Sequence, residues 1–153
     1  MKVSILIVIM LTSCGRHHVD PRINHNTNQV FLPYIKSFEN VYGHKISDIP
    51  IEFKDQDSDI VGVCLIWKTG EKAIEVDEIQ WNYLSEKQQE QLIFHELGHC
   101  QLGLKHNDNY RYDITGYKLC PNSIMNPNIF SDYSIDNCYI PEFNEYIKEL
   151  FKK

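Results

Sequence analysis

His95-Glu96-Leu97-Gly98-His99-Cys100-Gln101-Leu102-Gly103-Leu104-Lys105-His106 is the stretch on which the reading of this chain turns. It contains the pattern H-E-x-x-H. On a helix, positions i and i+4 share a face, so His95 and His99 can aim two imidazoles at one ion. Glu96, next to the first histidine, is placed to act as general base toward a water on that ion. Gly103 permits the helix to stop and the chain to bend back. His106 then follows as a third candidate ligand. Three protein ligands with an open fourth position describe a catalytic zinc site rather than a structural one.

The residues before the motif supply the helix it needs. Ser85-Glu86-Lys87-Gln88 fits a capping box at a helix start. Leu92, Ile93, Leu97 and Cys100 share its core-facing side, which places His95 and His99 in the last two turns. Two strands are expected upstream, a buried Ile60–Lys68 and an alternating Ala73–Trp81, joined as a hairpin through Thr69-Gly70-Glu71. Pro50–Lys54 is a shorter strand candidate. Val30–Tyr42 and Pro141–Lys153 carry apolar residues at helical spacing. Asn107–Asn122 is polar, bears tyrosines and has no clear period. The fold class is therefore α+β: a small mixed or antiparallel sheet, an active-site helix and a C-terminal helix.

Composition bounds the alternatives. In 153 residues, 42% hydrophobic and 24% charged content suits one globular domain rather than a disordered chain. The net charge of −6, without a basic cluster, argues against nucleic acid as a partner. Met1-Lys2 followed by the apolar run Val3–Leu11 reads as an export signal too short to span a bilayer. Leu11-Thr12-Ser13-Cys14 resembles the lipobox of bacterial lipoproteins. That resemblance implies cleavage before Cys14, lipidation of Cys14, and attachment to the bacterial cell envelope on its periplasmic or extracellular face. The expected division is a leader over 1–13, a flexible tether over 14–28 and a folded domain over 29–153. His17, His18 and His25 fall in that tether and read as solvated linker residues. The four remaining cysteines form an even set, as in exported proteins with disulfides. Cys120–Cys138 and Cys64–Cys100 are the favoured pairs, with four reduced, buried cysteines as the alternative.

The run from His95 to His106, together with Ser123-Ile124-Met125-Asn126-Pro127, resembles the metzincin branch of the zincin metallopeptidases. The second segment is similar to the Met-turn of that branch. The stretch from Ile74 to Met125 also looks like small bacterial lipoprotein metallopeptidases with a His-Glu-Leu-Gly-His-Cys core. The resemblance implies a zincin-like fold and one catalytic zinc ion on His95, His99 and His106. Glu96 would be the general base and proton shuttle, and Met125 the floor beneath the metal. It implies an endopeptidase acting on peptide or protein substrates that lie along the sheet rim, and the chain is expected to be a monomer. One departure stands out: three residues separate His99 from Gly103, where the branch has two. Each added residue turns a helix exit by about 100°. Either one more helical residue absorbs this, or Asp108, Asp113 or Asp132 replaces His106. Tyr133 could donate to the oxyanion, or else cover the core; Tyr110, Tyr112 and Tyr117 are as open. Two other activities fit the motif less well. One is a binding lipoprotein that has lost turnover, against which the intact Glu96 argues. The other is a zinc hydrolase of peptidoglycan cross-links.

Overall fold

The computed structural model describes residues 27–56, 59–113 and 115–152. The expected leader, Cys14 and the tether as far as residue 26 lie outside the described residues. Ordered contacts begin at once: the Asn28 N–H donates to the Ile51 carbonyl at 2.9 Å, and its side chain caps a short 3-10 turn.

Helix α1 (Leu32–Tyr42) takes Pro33 in its first turn, where no N–H is missed. It ends at Gly43, whose φ of 77° suits a residue without a Cβ. Its apolar stripe buries Ile35 and Phe38, and Phe38 meets Phe94 edge-on at 5.3 Å. This contact joins α1 to the helix that carries the histidines.

Three strands form one mixed sheet: β1 (Ile51–Phe53), β2 (Gly62–Ile66) and β3 (Lys72–Val76), in the order β1-β3-β2. β1 runs parallel to β3, and β2 pairs with β3 as an antiparallel hairpin. Two expectations change here. β2 is not a buried strand; it is a half-buried sheet edge, with Ile66 and Trp67 exposed. The second strand stops at Val76 instead of reaching Trp81. There the Asp77 carboxylate accepts the Gln80 N–H at 2.8 Å and starts a short helix, α2 (Glu78–Trp81). Ile79 consequently faces solvent.

Helix α3 (Glu86–Cys100) opens on the full capping box: Ser85 accepts from the Gln88 N–H, and the Gln88 side chain accepts from the Ser85 N–H. Leu92, Ile93, Leu97 and Cys100 are buried beneath the sheet and against α1. The segment without evident period contains a second hairpin, β4 (Tyr110–Tyr112) with β5 (Leu119–Pro121). Its turn is built on Asp113, which accepts from the Thr115 hydroxyl and from the Tyr117 and Lys118 amides. Helix α4 (Asp132–Ser134), capped by Ser131, runs into a π-helical turn (Ile135–Tyr139), and α5 (Phe143–Leu150) closes the fold. Tyr146 and Leu150 carry the apolar face of α5 into the core.

Two disulfides cross these elements. Cys64–Cys100 ties β2 to the end of α3, and Cys120–Cys138 ties β5 to the π-helical turn. Cross-links of this kind stabilise mainly by restricting the unfolded chain, each by roughly 2–4 kcal/mol. Among the described residues no helix is long and apolar enough to cross a membrane.

Candidate metal centre

His95 and His99 project from the same face of α3 one turn apart. The helix continues to Cys100 and turns through Gln101 and Leu102 before the break at Gly103, where φ is 70°. This is the extra helical residue that the three-residue spacing requires. The chain then folds back, with the Leu104 N–H on the Gly98 carbonyl at 3.0 Å and the Asn107 N–H on the Met125 carbonyl at 2.8 Å. His106 is thereby carried to the other two histidines. Their nearest ring nitrogens all lie within 4.8 Å of one another. None of Asp108, Asp113 and Asp132 belongs to this cluster, and the Asp113 carboxylate is committed to its own turn.

The protonation of two rings follows from their neighbours. His95 Nδ1 lies 2.9 Å from the Ile124 carbonyl, and His99 Nδ1 lies 2.7 Å from the Leu104 carbonyl. A carbonyl oxygen only accepts, so each Nδ1 carries the hydrogen and each Nε2 presents a lone pair. Those two lone pairs meet at 3.0 Å, and His106 Nε2 lies 3.3 Å from His95 Nε2. Two acceptors at such a distance have no hydrogen to share, and a cation between them relieves the repulsion. Zinc at its usual 2.0–2.1 Å from nitrogen has tetrahedral edges of about 3.3 Å, so the donor set fits that ion. Burial pushes His95 down to about 4 and also lowers His99, which keeps both rings in the neutral form that binds metal.

Glu96 lies beside this cluster and is buried, 4% exposed. Its Oε2 has no hydrogen-bond partner among the described residues. Burial raises its carboxyl to about 7, against an opposing contribution from the Cys64 backbone amide. All four side chains line a cleft of about 760 Å³, whose opposite wall is the β2 edge and the Asn126–Ile129 segment. Ile124 and Met125 sit under α3. Met125 is buried, and a Cβ added at Gly98 would overlap its sulfur. Gly98 in the motif is therefore a packing requirement, which sequence reading did not assign. Sequence reading also missed the Ile124 and Leu104 carbonyls, because backbone acceptors leave no residue signature. No tyrosine lines the cleft among the described residues. Tyr133 is exposed rather than covering the core and does not line the cleft; Tyr110, Tyr112 and Tyr117 are exposed too.

Residues 17–119 match the family described as "Putative phage metallopeptidase". The chain belongs to this family. The match covers well over half the sequence and includes α3 and all three histidines, so membership and the histidine cluster point to the same metal-dependent peptidase class. The Met125 segment lies beyond the matched residues of the phage metallopeptidase family. No curated protein and no solved structure matches the chain.

The opposite shifts of His95 and Glu96 give a test in the metal-free protein. His95 has a folded value near 4 against 6.5 unfolded, so stability falls as pH drops through that interval. Glu96 has a folded value near 7 against 4.5 unfolded, so stability falls as pH rises through that interval. Between about pH 4.5 and 6.5 the two slopes oppose each other. Glu96→Gln removes one of them. Urea unfolding in chelator is expected to show the variant gaining stability with rising pH more steeply than the parent, by roughly 1 kcal/mol per pH unit. Equal slopes would show that Glu96 does not hold a proton in the fold.

Proposed function

We propose that this chain is a zinc-dependent endopeptidase with a zincin-like, metzincin-like fold, acting as a monomer on peptide or protein substrates. The observation that carries the reading is the convergence of three imidazole Nε2 atoms, in one open cleft, beside a buried carboxylate oxygen that has no hydrogen-bond partner among the described residues. His95, His99 and His106 would hold the ion, with Met125 forming the floor beneath it. When bound, zinc supplies Lewis acidity, lowering the pKa of water and polarising a carbonyl. Glu96 Oε2 takes the proton from the attacking water and returns it to the leaving amine. A buried carboxylate with one oxygen uncommitted among the described residues is placed for both halves of that transfer. The β2 edge suits an extended substrate. Its pairing with β3 runs through Val61 and Trp67, so Gly62, Cys64 and Ile66 turn their backbone groups away from the sheet.

The lipobox-like Leu11–Cys14 supports a lipid anchor on Cys14 and a position at the bacterial cell envelope. One experiment tests both parts. Membrane fractions from cells producing the chain are expected to hydrolyse a peptide library, to stop with chelator and to recover with zinc. Cys14→Ser is expected to move the activity to the soluble fraction. Chelator-resistant hydrolysis contradicts the metal reading, and activity that stays with the membrane contradicts the anchor.

A further inference from the structure

Helix α3 meets the edge strand β2 at two points, one on each side of His99 along the helix. At the first, Gly62 lies so close to α3 that a Cβ there would come within 3.1 Å of Leu92 and 3.2 Å of Glu96 Oε1. At the second, Cys64 is bonded to Cys100, the residue after His99. Gly62 and Cys64 are two apart on a strand, so both turn the same face to the helix. The hairpin register sends the Cys64 N–H away from β3, toward the cleft side on which Glu96 lies. No strand pairs with this edge among the described residues.

We propose that the Cys64–Cys100 disulfide is a positioning element of the site. It holds the β2 edge at a fixed height over α3, so that the Cys64 amide stays on the Glu96 carboxylate and the substrate-facing edge stays in register with the histidines. The histidines themselves do not depend on it. His95 and His99 are oriented by the Ile124 and Leu104 carbonyls, and His106 by the turn at Gly103. Removing the disulfide therefore separates two properties: the metal stays, and the edge loosens. Cys120–Cys138 joins elements that carry no cleft-lining residue at its ends, and it serves as the internal control.

The inference rests on the peptidase reading for its catalytic consequence, but two of its readouts need no turnover. The test compares the Cys64→Ala/Cys100→Ala and Cys120→Ala/Cys138→Ala double variants of the full chain. Zinc affinity is measured by competition with a chromogenic chelator, and local order by hydrogen exchange. The Cys64/Cys100 variant is expected to keep zinc affinity within about threefold of the parent. Exchange over 62–66 is expected to rise at least tenfold, with α1 and α5 unchanged, and kcat to fall at least tenfold. The control variant is expected to leave exchange over 62–66 and kcat as in the parent, at a temperature where it is folded.

Unchanged exchange over 62–66 overturns the proposal, and so does an equal rise in both variants. Loss of zinc in step with loss of order also overturns it, because the disulfide would then be holding the histidines. If the parent cleaves no peptide, the peptidase reading fails, while exchange and zinc affinity still decide the positioning role. If the Cys64/Cys100 variant does not fold, a trialkylphosphine applied to the folded Cys120→Ala/Cys138→Ala variant, in which Cys64–Cys100 is the one disulfide left among the described residues, reduces that bond alone. Reduction consumes one water, yields two thiols and the phosphine oxide, and gives access to the same readouts.

Discussion

Glu96→Gln is expected to lower kcat for peptide hydrolysis by about 10²–10⁴-fold while leaving one zinc per chain. The range is the ordinary contribution of a positioned general acid–base group. The carboxamide keeps the shape of the side chain and its acceptor toward the Cys64 amide, so packing under Gly62 is preserved. It cannot take a proton from water. Steady-state kinetics on a cleaved peptide, with metal analysis of the same preparation, separate this from a loss of folding. A variant that retains a tenth or more of parental kcat removes Glu96 from the proton path.

His106→Ala is the second large effect. Losing partners that merely orient a ligand costs 10–100-fold in metal affinity, so losing one of three ligands should cost more than about 100-fold. His106 is the most exposed of the three. Its replacement creates no cavity in the core, and the melting temperature of the metal-free variant should stay within a few degrees of the parent. Zinc binding measured by competition then reports ligation alone. A loss below tenfold would place the third ligand elsewhere. Asp108 would be next in line, since the Asp113 carboxylate already serves its own turn.

The parts of the fold that sequence reading recovered are those written in side chains. The Ser85–Gln88 capping box, the α1 stripe with its Gly43 stop and the apolar face of α5 each carry a local signal, and each forms. The histidine cluster was legible for the same reason: helical spacing fixes His95 against His99, and Gly103 marks the bend that brings in His106. Other features depend on what lies nearby in space. Ile60–Lys68 is apolar enough for a central strand, yet β3 takes that place, because β1 pairs with its other side. The Asp77 cap outweighed the alternation that continued to Ile79, since a carboxylate that satisfies a helix N-terminus ends strand pairing locally. The β4–β5 hairpin is three residues a side, too short to show a period, and its turn is held by one aspartate. Gly62 and Gly98 look like ordinary glycines in sequence. Only the structure shows that one admits Glu96 and the other admits Met125.

The central claim is that three imidazoles and an exchangeable fourth group hold the zinc. X-ray absorption at the zinc edge of the zinc-loaded chain tests it most directly. The expected spectrum shows four nitrogen or oxygen ligands at about 2.0–2.1 Å, with multiple scattering from three imidazole rings and no sulfur. His106→Ala should reduce the ring contribution to two. A parent spectrum with two rings or fewer, or with a zinc–sulfur shell, would contradict the site described here.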